Sequence, residues 1–394
     1  MRSDCPSCRA TDLEAFYEVL DVPTNSCILI GSREEALDFP TADIRLCLCR
    51  HCGFIFNGAW QPGRTVYREG YEETQAFSPT FCAFDRRLAE SLVERHSIRD
   101  RDILEIGCGK GEFLARLCEI GGNRGIGYDP GHDPDRLDAA TSSRMRVIRE
   151  LFTERTVCGP ADLVCCKMTL EHIFDVADFV DAVVGQLDPG RNPVVFFQVP
   201  DADRILDQGA FWDIYYEHVS YFTPGSLSRL FHRAGFAVER TWTDYGGQYL
   251  MIEGRRTAGR PADPATAADR ADVAGMKARV GRFSSLVHRA VADWADRIRA
   301  SSRGGKKVVL WGSGSKAVSF LTTIGLSLAD IEYVVDINPH RHGMYLPRSG
   351  QRIVSPDFLA DYRPDTVIVM NPIYRAEIAA CLAARGCSSE LVTV

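Results

Sequence analysis

A chain of 394 residues is longer than one ordinary domain and predicts two or three. Its 45% hydrophobic and 25% charged residues are those of a globular protein, and a net charge of −7 argues against a nucleic-acid partner, whose phosphates need a basic face. No apolar run approaches the length of a membrane span, and the opening Met1-Arg2-Ser3-Asp4-Cys5-Pro6 lacks the apolar core of a secretion signal, so the cytoplasm is the expected compartment.

The chain begins with two C-x-x-C units, Cys5-Pro6-Ser7-Cys8 and Cys49-Arg50-His51-Cys52. Four thiolates presented in pairs suit a closed, tetrahedral, structural Zn2+ site. Cys47 and His51 fit that paired geometry less well. Without a metal, residues 1–60 would have little core of their own. A zinc ribbon binding nucleic acid is disfavoured because few basic residues flank the knuckles. Others of the 14 cysteines, such as Cys165-Cys166, sit in apolar runs and read as small buried hydrophobes.

After the strand expected at Phe54–Phe56 comes a tyrosine- and glutamate-rich connection that includes Tyr71 and Ser78, and then a helix. Next is Leu104-Glu105-Ile106-Gly107-Cys108-Gly109-Lys110-Gly111, where an apolar strand meets a glycine turn and a helix. A second strand, Gly125–Tyr128, ends in Asp129. This is a β-α-β unit whose first turn admits a nucleoside and whose acid can grip a ribose diol. The third glycine comes one residue too early for the dinucleotide pattern. Carboxylates at Glu105 and Asp129 suit a cationic ligand bearing an amine.

Further strands are expected at Leu163–Cys166, Val194–Val199, Val238–Thr243 and Tyr249–Glu253, in a parallel arrangement with crossover helices. Two Glu-His pairs follow strands: Glu171-His172, and Glu217-His218 within the aromatic stretch Phe211–Phe222. An isolated histidine is more often structural, but two such pairs at strand ends favour acid–base chemistry. Residues 260–270 read as a linker. Apolar residues from Val273 to Ile298, spaced by threes and fours, predict one long amphipathic helix. A second α/β unit carries Gly312-Ser313-Gly314-Ser315-Lys316-Ala317, a strand ending in Asp336, and a strand running into Asn371-Pro372. Backbone N–H groups and Lys316 there are expected to meet phosphates.

Taken in order, the cysteine pairs, Glu105-Ile-Gly-Cys-Gly-x-Gly111, Leu170-Glu-His-Ile173, Tyr215-x-Glu-His-x-Ser-Tyr-Phe222, Asp336-Ile-Asn-Pro339 and Ser355-Pro-Asp357 resemble the nucleotide-deoxysugar C-methyltransferases over essentially the whole chain. The resemblance implies an α/β chain in four segments. These are a zinc module (1–66), a class I, Rossmann-like methyltransferase domain (67–258), a linker with a long helix (259–304) and a Rossmann-like substrate domain (305–394). It implies S-adenosyl-L-methionine held by Tyr71, Ser78, Glu105, Gly107, Gly109, Asp129, Pro130 and Met168, and structural Zn2+ on Cys5, Cys8, Cys49 and Cys52. It further implies methylation of a carbon α to the ketone of a nucleotide-linked keto sugar, with His218 as base and Tyr215, Glu217 and His172 around the sugar. Acceptor contacts are expected from Tyr216, Gly246, Gly247, Gln248, Ser313, Ser315, Lys316, Asn371 and Tyr374.

Several segments depart from the family pattern. Tyr245-Gly246-Gly247-Gln248 replaces His-Gly-Gly-Ser, Tyr216 replaces a histidine, and Met370-Asn371-Pro372 replaces Trp-Asn-Phe. Chemistry and cofactor are therefore expected to be kept while the acceptor stays open. O- or N-methylation of another small molecule, and a catalytically silent binding protein, remain alternatives.

Overall fold

The computed structural model describes residues 2–67, 70–137, 143–156, 158–257 and 267–394. Arg68 and Glu69, and most of the expected linker, lie outside them. The elements run β1 (Leu13–Pro23), α1 (Arg33–Leu37), β2 (Thr41–Cys49), β3 (Ile55–Asn57), α2 (Pro79–His96), β4 (Asp102–Ile106), α3 (Glu112–Gly121), β5 (Arg124–Tyr128), β6 (Met145–Ile148) and β7 (Leu163–Lys167). Then come α4 (Val176–Gln186), β8 (Val194–Pro200), α5 (Ala202–Gln208), β9 (Ser220–Tyr221), α6 (Pro224–Arg233), β10 (Phe236–Asp244), β11 (Tyr249–Arg256) and α7 (Ala267–Arg303). The last part holds β12 (Val308–Trp311), α8 (Ser315–Ile324), β13 (Tyr333–Val335), β14 (Arg352–Val354), α9 (Leu359–Tyr362), β15 (Thr366–Val369), α10 (Arg375–Ala383) and β16 (Glu390–Thr393).

Among the described residues these strands make three sheets. The central one has the order β10-β11-β8-β7-β4-β5-β6. Parallel pairing was expected throughout, but β11 runs antiparallel to both β8 and β10. A tight turn at Tyr245–Gln248 joins β10 to β11, too short for the crossover that a parallel pair requires. One reversed strand next to the edge of an otherwise parallel sheet is the class I methyltransferase arrangement.

The C-terminal sheet, β14-β13-β12-β15-β16, is parallel throughout. Its strands are near-continuous Val/Ile/Leu runs because helices cover both faces. The N-terminal sheet, β1-β2-β3-β9, is antiparallel and takes β9 from a much later part of the chain. It is therefore not closed at the expected boundary near residue 66.

The amphipathic stripe from Val273 to Ile298 lies within α7, which begins inside the stretch read as linker and ends at Arg303. Its buried Phe283 packs edge-on against Phe16 and Tyr17 of β1, at ring-centroid distances of 6.0 and 5.3 Å. The same apolar cluster includes Phe211 and, from α8, Phe320. One helix thus ties the first and last thirds of the chain together. Replacing Phe283 with Ala should lower stability by about 3–5 kcal/mol, read from denaturant unfolding, because a large aromatic would leave a cavity between three elements.

Candidate active site

In an open parallel sheet, ligands bind at the carboxyl ends of strands where the order reverses. The central sheet reverses at β4, between β5 and β7, and the C-terminal sheet at β12, between β13 and β15. Both points open onto one cavity of about 470 Å3. Its wall includes Gly107, Gly109, Asp129 and Met168 from the first sheet, and Gly312, Gly314, Asp336 and Asn371 from the second.

The glycine turn leaves no room for side chains. Gly107 has φ +69°, and a Cβ there would lie 1.9 Å from Thr169 Oγ1. At Gly109, with φ +53°, a Cβ would lie 2.7 Å from Glu73 Oε1. The Asp129 carboxylate accepts the N–H groups of Gly109 (2.9 Å) and Gly131 (2.7 Å) and so fixes the loop. Glu105 is buried at the end of β4 with Oε2 unpartnered, and burial raises its pKa to about 8. A close backbone approach beside an unsatisfied carboxyl fits a ligand carrying an amine.

The Glu72–Ser78 segment lies over this end. Lys110 Nζ donates to the carbonyls of Tyr71 (2.8 Å) and Gly131 (3.1 Å). Ser78 lines the cavity, but its Oγ also caps α2 and donates to Glu377 of α10 at 2.8 Å. Tyr71, expected at the cofactor, points its hydroxyl to Glu217 Oε1 at 3.3 Å.

The two Glu-His pairs come together at the centre. His218 Nε2 is 2.8 Å from the Tyr215 hydroxyl, and the rings of His172 and His218 lie 4.9 Å apart. His172 Nδ1 contacts the Tyr67 hydroxyl (2.9 Å) and the Glu217 carbonyl (3.0 Å). Burial lowers both histidines, His172 to about 4 and His218 well below its ordinary value, so both rings are neutral near pH 7. The Glu217 carboxylate does not face His218. It is buried and accepts Ser26 N–H at 3.0 Å and Ser26 Oγ–H at 2.6 Å.

Lys316 reaches the wall, but its ammonium is bound to Asp213, which also binds Arg204. It is a neutralised charge rather than a free phosphate ligand. Ser315, Gln248, Asn371 and Tyr374 also line the cavity.

Four of the residues expected to touch the acceptor, and Glu217, are absent from the wall. Tyr216 is fully buried in the apolar core, with its hydroxyl accepting Gln61 N–H at 2.9 Å. Gly246 and Gly247 form the β10–β11 turn, where φ values of +66° and +76° require glycine. Ser313 donates its N–H (2.8 Å) and its hydroxyl (2.5 Å) to Asp336 and so fixes the second glycine loop.

Sequence reasoning did not select Ser26, Glu73, Thr169, Asp213 or Arg341. Ser26 comes from the N-terminal part, and no local pattern signals its contact with Glu217. Asp213 within Phe211–Phe222, Thr169 beside Glu171-His172 and Glu73 in the tyrosine-rich connection lie in chemically marked stretches.

Outside the cavity wall the four knuckle cysteines meet. Cys5 and Cys52 Sγ are 3.7 Å apart, and Cys8 and Cys49 Sγ 3.5 Å. A disulfide needs about 2.05 Å. Four sulfurs each about 2.3 Å from one tetrahedral ion lie about 3.8 Å from one another, so the set fits zinc.

Residues 81–241 match the family described as methyltransferase domain, and residues 253–390 match the C-methyltransferase C-terminal domain. The C-methyltransferase NovU of Streptomyces niveus is 29% identical over 89% of this chain and 85% of its own length. The chain is an S-adenosylmethionine-dependent C-methyltransferase. The ubiquinone biosynthesis O-methyltransferase of Marinobacter nauticus is 28% identical over 43% of this chain and 76% of its own. A Burkholderia thailandensis 1,6-didemethyltoxoflavin-N1-methyltransferase structure covers 44% of this chain and 78% of its own, at 19% identity and a TM-score of 0.36.

Gly107→Ala should abolish S-adenosylhomocysteine binding in calorimetry, because the new methyl would collide with Thr169 where φ already disfavours a side chain.

Proposed function

We propose that the chain methylates a carbon α to the ketone of a nucleotide-linked keto-deoxysugar or a related keto metabolite, with His218 as the base. One observation carries this reading: a neutral, buried histidine, bonded to Tyr215, stands on the wall between the two glycine loops. S-adenosylmethionine, when bound, supplies a methyl group already activated on a positively charged sulfur. The remaining difficulty is a nucleophilic carbon.

His218 takes the α proton onto its ring, and the C–H electron pair moves toward the carbonyl oxygen as an enolate. Tyr215 is the hydroxyl placed to steady that oxygen, while His172, whose N–H faces the Glu217 carbonyl, contacts the sugar through its ring. Glu105, Gly107, Gly109, Asp129, Pro130 and Met168 hold the cofactor end. The second loop, with Ser315 at the N-terminus of α8 and Asn371 opposite, takes the nucleotide end. The cover over the site is anchored by Glu72: its carboxylate pairs with Arg136 at 2.8 Å, and its carbonyl accepts from Arg341 of the C-terminal part. Water is thereby limited around the enolate.

The cysteine set is assigned to one structural Zn2+, which pins the residues before β1 to the end of β2, where Leu13 pairs with Cys49. Elemental analysis should find one zinc per chain. Removing it with a chelator should lower both thermal stability and methyl transfer while leaving the central glycine turn intact.

His218→Ala should bind S-adenosylhomocysteine as the parent does but lose transfer by about 100- to 10,000-fold. The assay is isotope incorporation from labelled methyl donor into a panel of TDP-4-keto-sugars, with solvent-deuterium exchange at the α carbon in the absence of donor. Because burial holds the folded pKa of His218 below its ordinary value, the base stays unprotonated as pH falls through about 6.5. The part of the acid limb that belongs to His218 should therefore lie below that pH. Retained transfer in His218→Ala would remove the assignment.

A further inference from the structure

The two Glu-His pairs are crossed in space. Glu217 follows its neighbours' backbone away from His218 and is held by Ser26 and Tyr71. Glu171, which precedes His172 in the chain, instead places Oε1 3.9 Å from His218 Nε2. Its side chain is 1% exposed, and neither carboxyl oxygen has a hydrogen-bond partner. A buried carboxyl with both oxygens unsatisfied is costly, and natural proteins rarely keep one without a use. Two other buried acids of the site have partners, Glu217 in Ser26 and Asp213 in Lys316 and Arg204, and Glu105 leaves one oxygen unpartnered rather than both.

We propose that Glu171 is the countercharge for His218, a positioning residue that steadies the imidazolium formed when His218 takes the acceptor's proton. This rests on the reading of His218 as base. Around His218, the nearby Lys316 ammonium and the second imidazole of His172 both oppose protonation. Glu171 is the acid set against its Nε2. Opposite charges at about 4 Å in a partly desolvated site interact strongly enough to change basicity by orders of magnitude.

In the active form Glu171 is the carboxylate, its own proton already lost to solvent. The acceptor's proton ends on the imidazole, its electron pair stays in the enolate, and the Glu171 carboxylate faces the new imidazolium. Burial raises the Glu171 pKa to about 8, so this form fills as pH rises through that value. The titratable groups around the pair are His172, Tyr67, Tyr215, Tyr221, Lys316 and Cys166. The phenols and the thiol are held neutral by burial and Lys316 is paired with Asp213, so Glu171 is the acid set to titrate against His218.

The test is a pH titration of 13C,15N-labelled histidine in the full chain, with the His218 signal identified by its loss in His218→Ala. His218 should show a step near pH 8, separate from its own protonation at low pH. Glu171→Gln should remove that step and lower methyl transfer roughly 100-fold at unchanged S-adenosylhomocysteine affinity. Glu217→Gln should keep the step. Glu171→Asp, which retains the charge, should keep it with smaller amplitude, and it serves where the Gln variant folds poorly.

A step that survives Glu171→Gln, or disappears in Glu217→Gln, overturns the proposal. So does a second tightly bound divalent ion per chain that Glu171→Gln abolishes, because Glu171, His172 and His218 would then be metal ligands. Retained transfer in His218→Ala would remove the base assignment while leaving the titration link measurable on its own.

Discussion

Desolvation of one small polar cluster constrains the rest of this molecule. His172, His218, Glu171, Glu217, Tyr67 and Tyr215 are packed out of water, and each buried polar atom needs a partner supplied by protein. Those partners come from distant parts of the chain. Ser26, between β1 and β2, supplies two donors to Glu217, and the same hydroxyl lies 2.7 Å from Ser315 at the start of α8. Tyr67 and Tyr71 come from the connection before α2. Apart from Glu171, whose oxygens have no partner, the cluster is bonded only when all three sheets are in place.

This gives the cysteine module a role that its position in the sequence conceals. Its four sulfurs belong to an apolar cluster with Phe54, Phe56 and Phe222, and the last of these follows the Tyr215–His218 segment directly. Strand β9 pairs with β3 immediately after that segment. The cysteine set, the N-terminal sheet and the Tyr215–His218 segment are thus packed as one unit.

The sequence exposed whatever was local. The β4 glycine turn, Asp129, the paired cysteines and the long α7 stripe each carry their reason within a short window, and the structure places them as read. The reversal of β11 has a local sign, the Gly246-Gly247 turn, too short for a crossover. The other misses are non-local. Glu217 is expected at the sugar, but its carboxylate is taken up by Ser26, and the acid facing His218 comes from just beyond β7. Tyr216 sat among candidate ligands because of the company it keeps, but its ring belongs to the core and its hydroxyl to Gln61.

The departures from the family pattern are not scattered once folded. Gln248 and Asn371 exchange two amide hydrogen bonds, at 2.8 and 3.0 Å, across the gap between β11 and β15. Beside them the hydroxyls of Tyr245 and Tyr374 meet at 2.6 Å, and Tyr374 also donates to Gln75 at 2.8 Å. Two altered segments far apart in the chain therefore compensate each other as matched pairs, which is what a wall reshaped with its bonding intact requires. Gln248 and Asn371 line the cavity as a bonded pair, while His172 and His218 bond to Tyr67 and Tyr215, so the two sets share no hydrogen-bond partner.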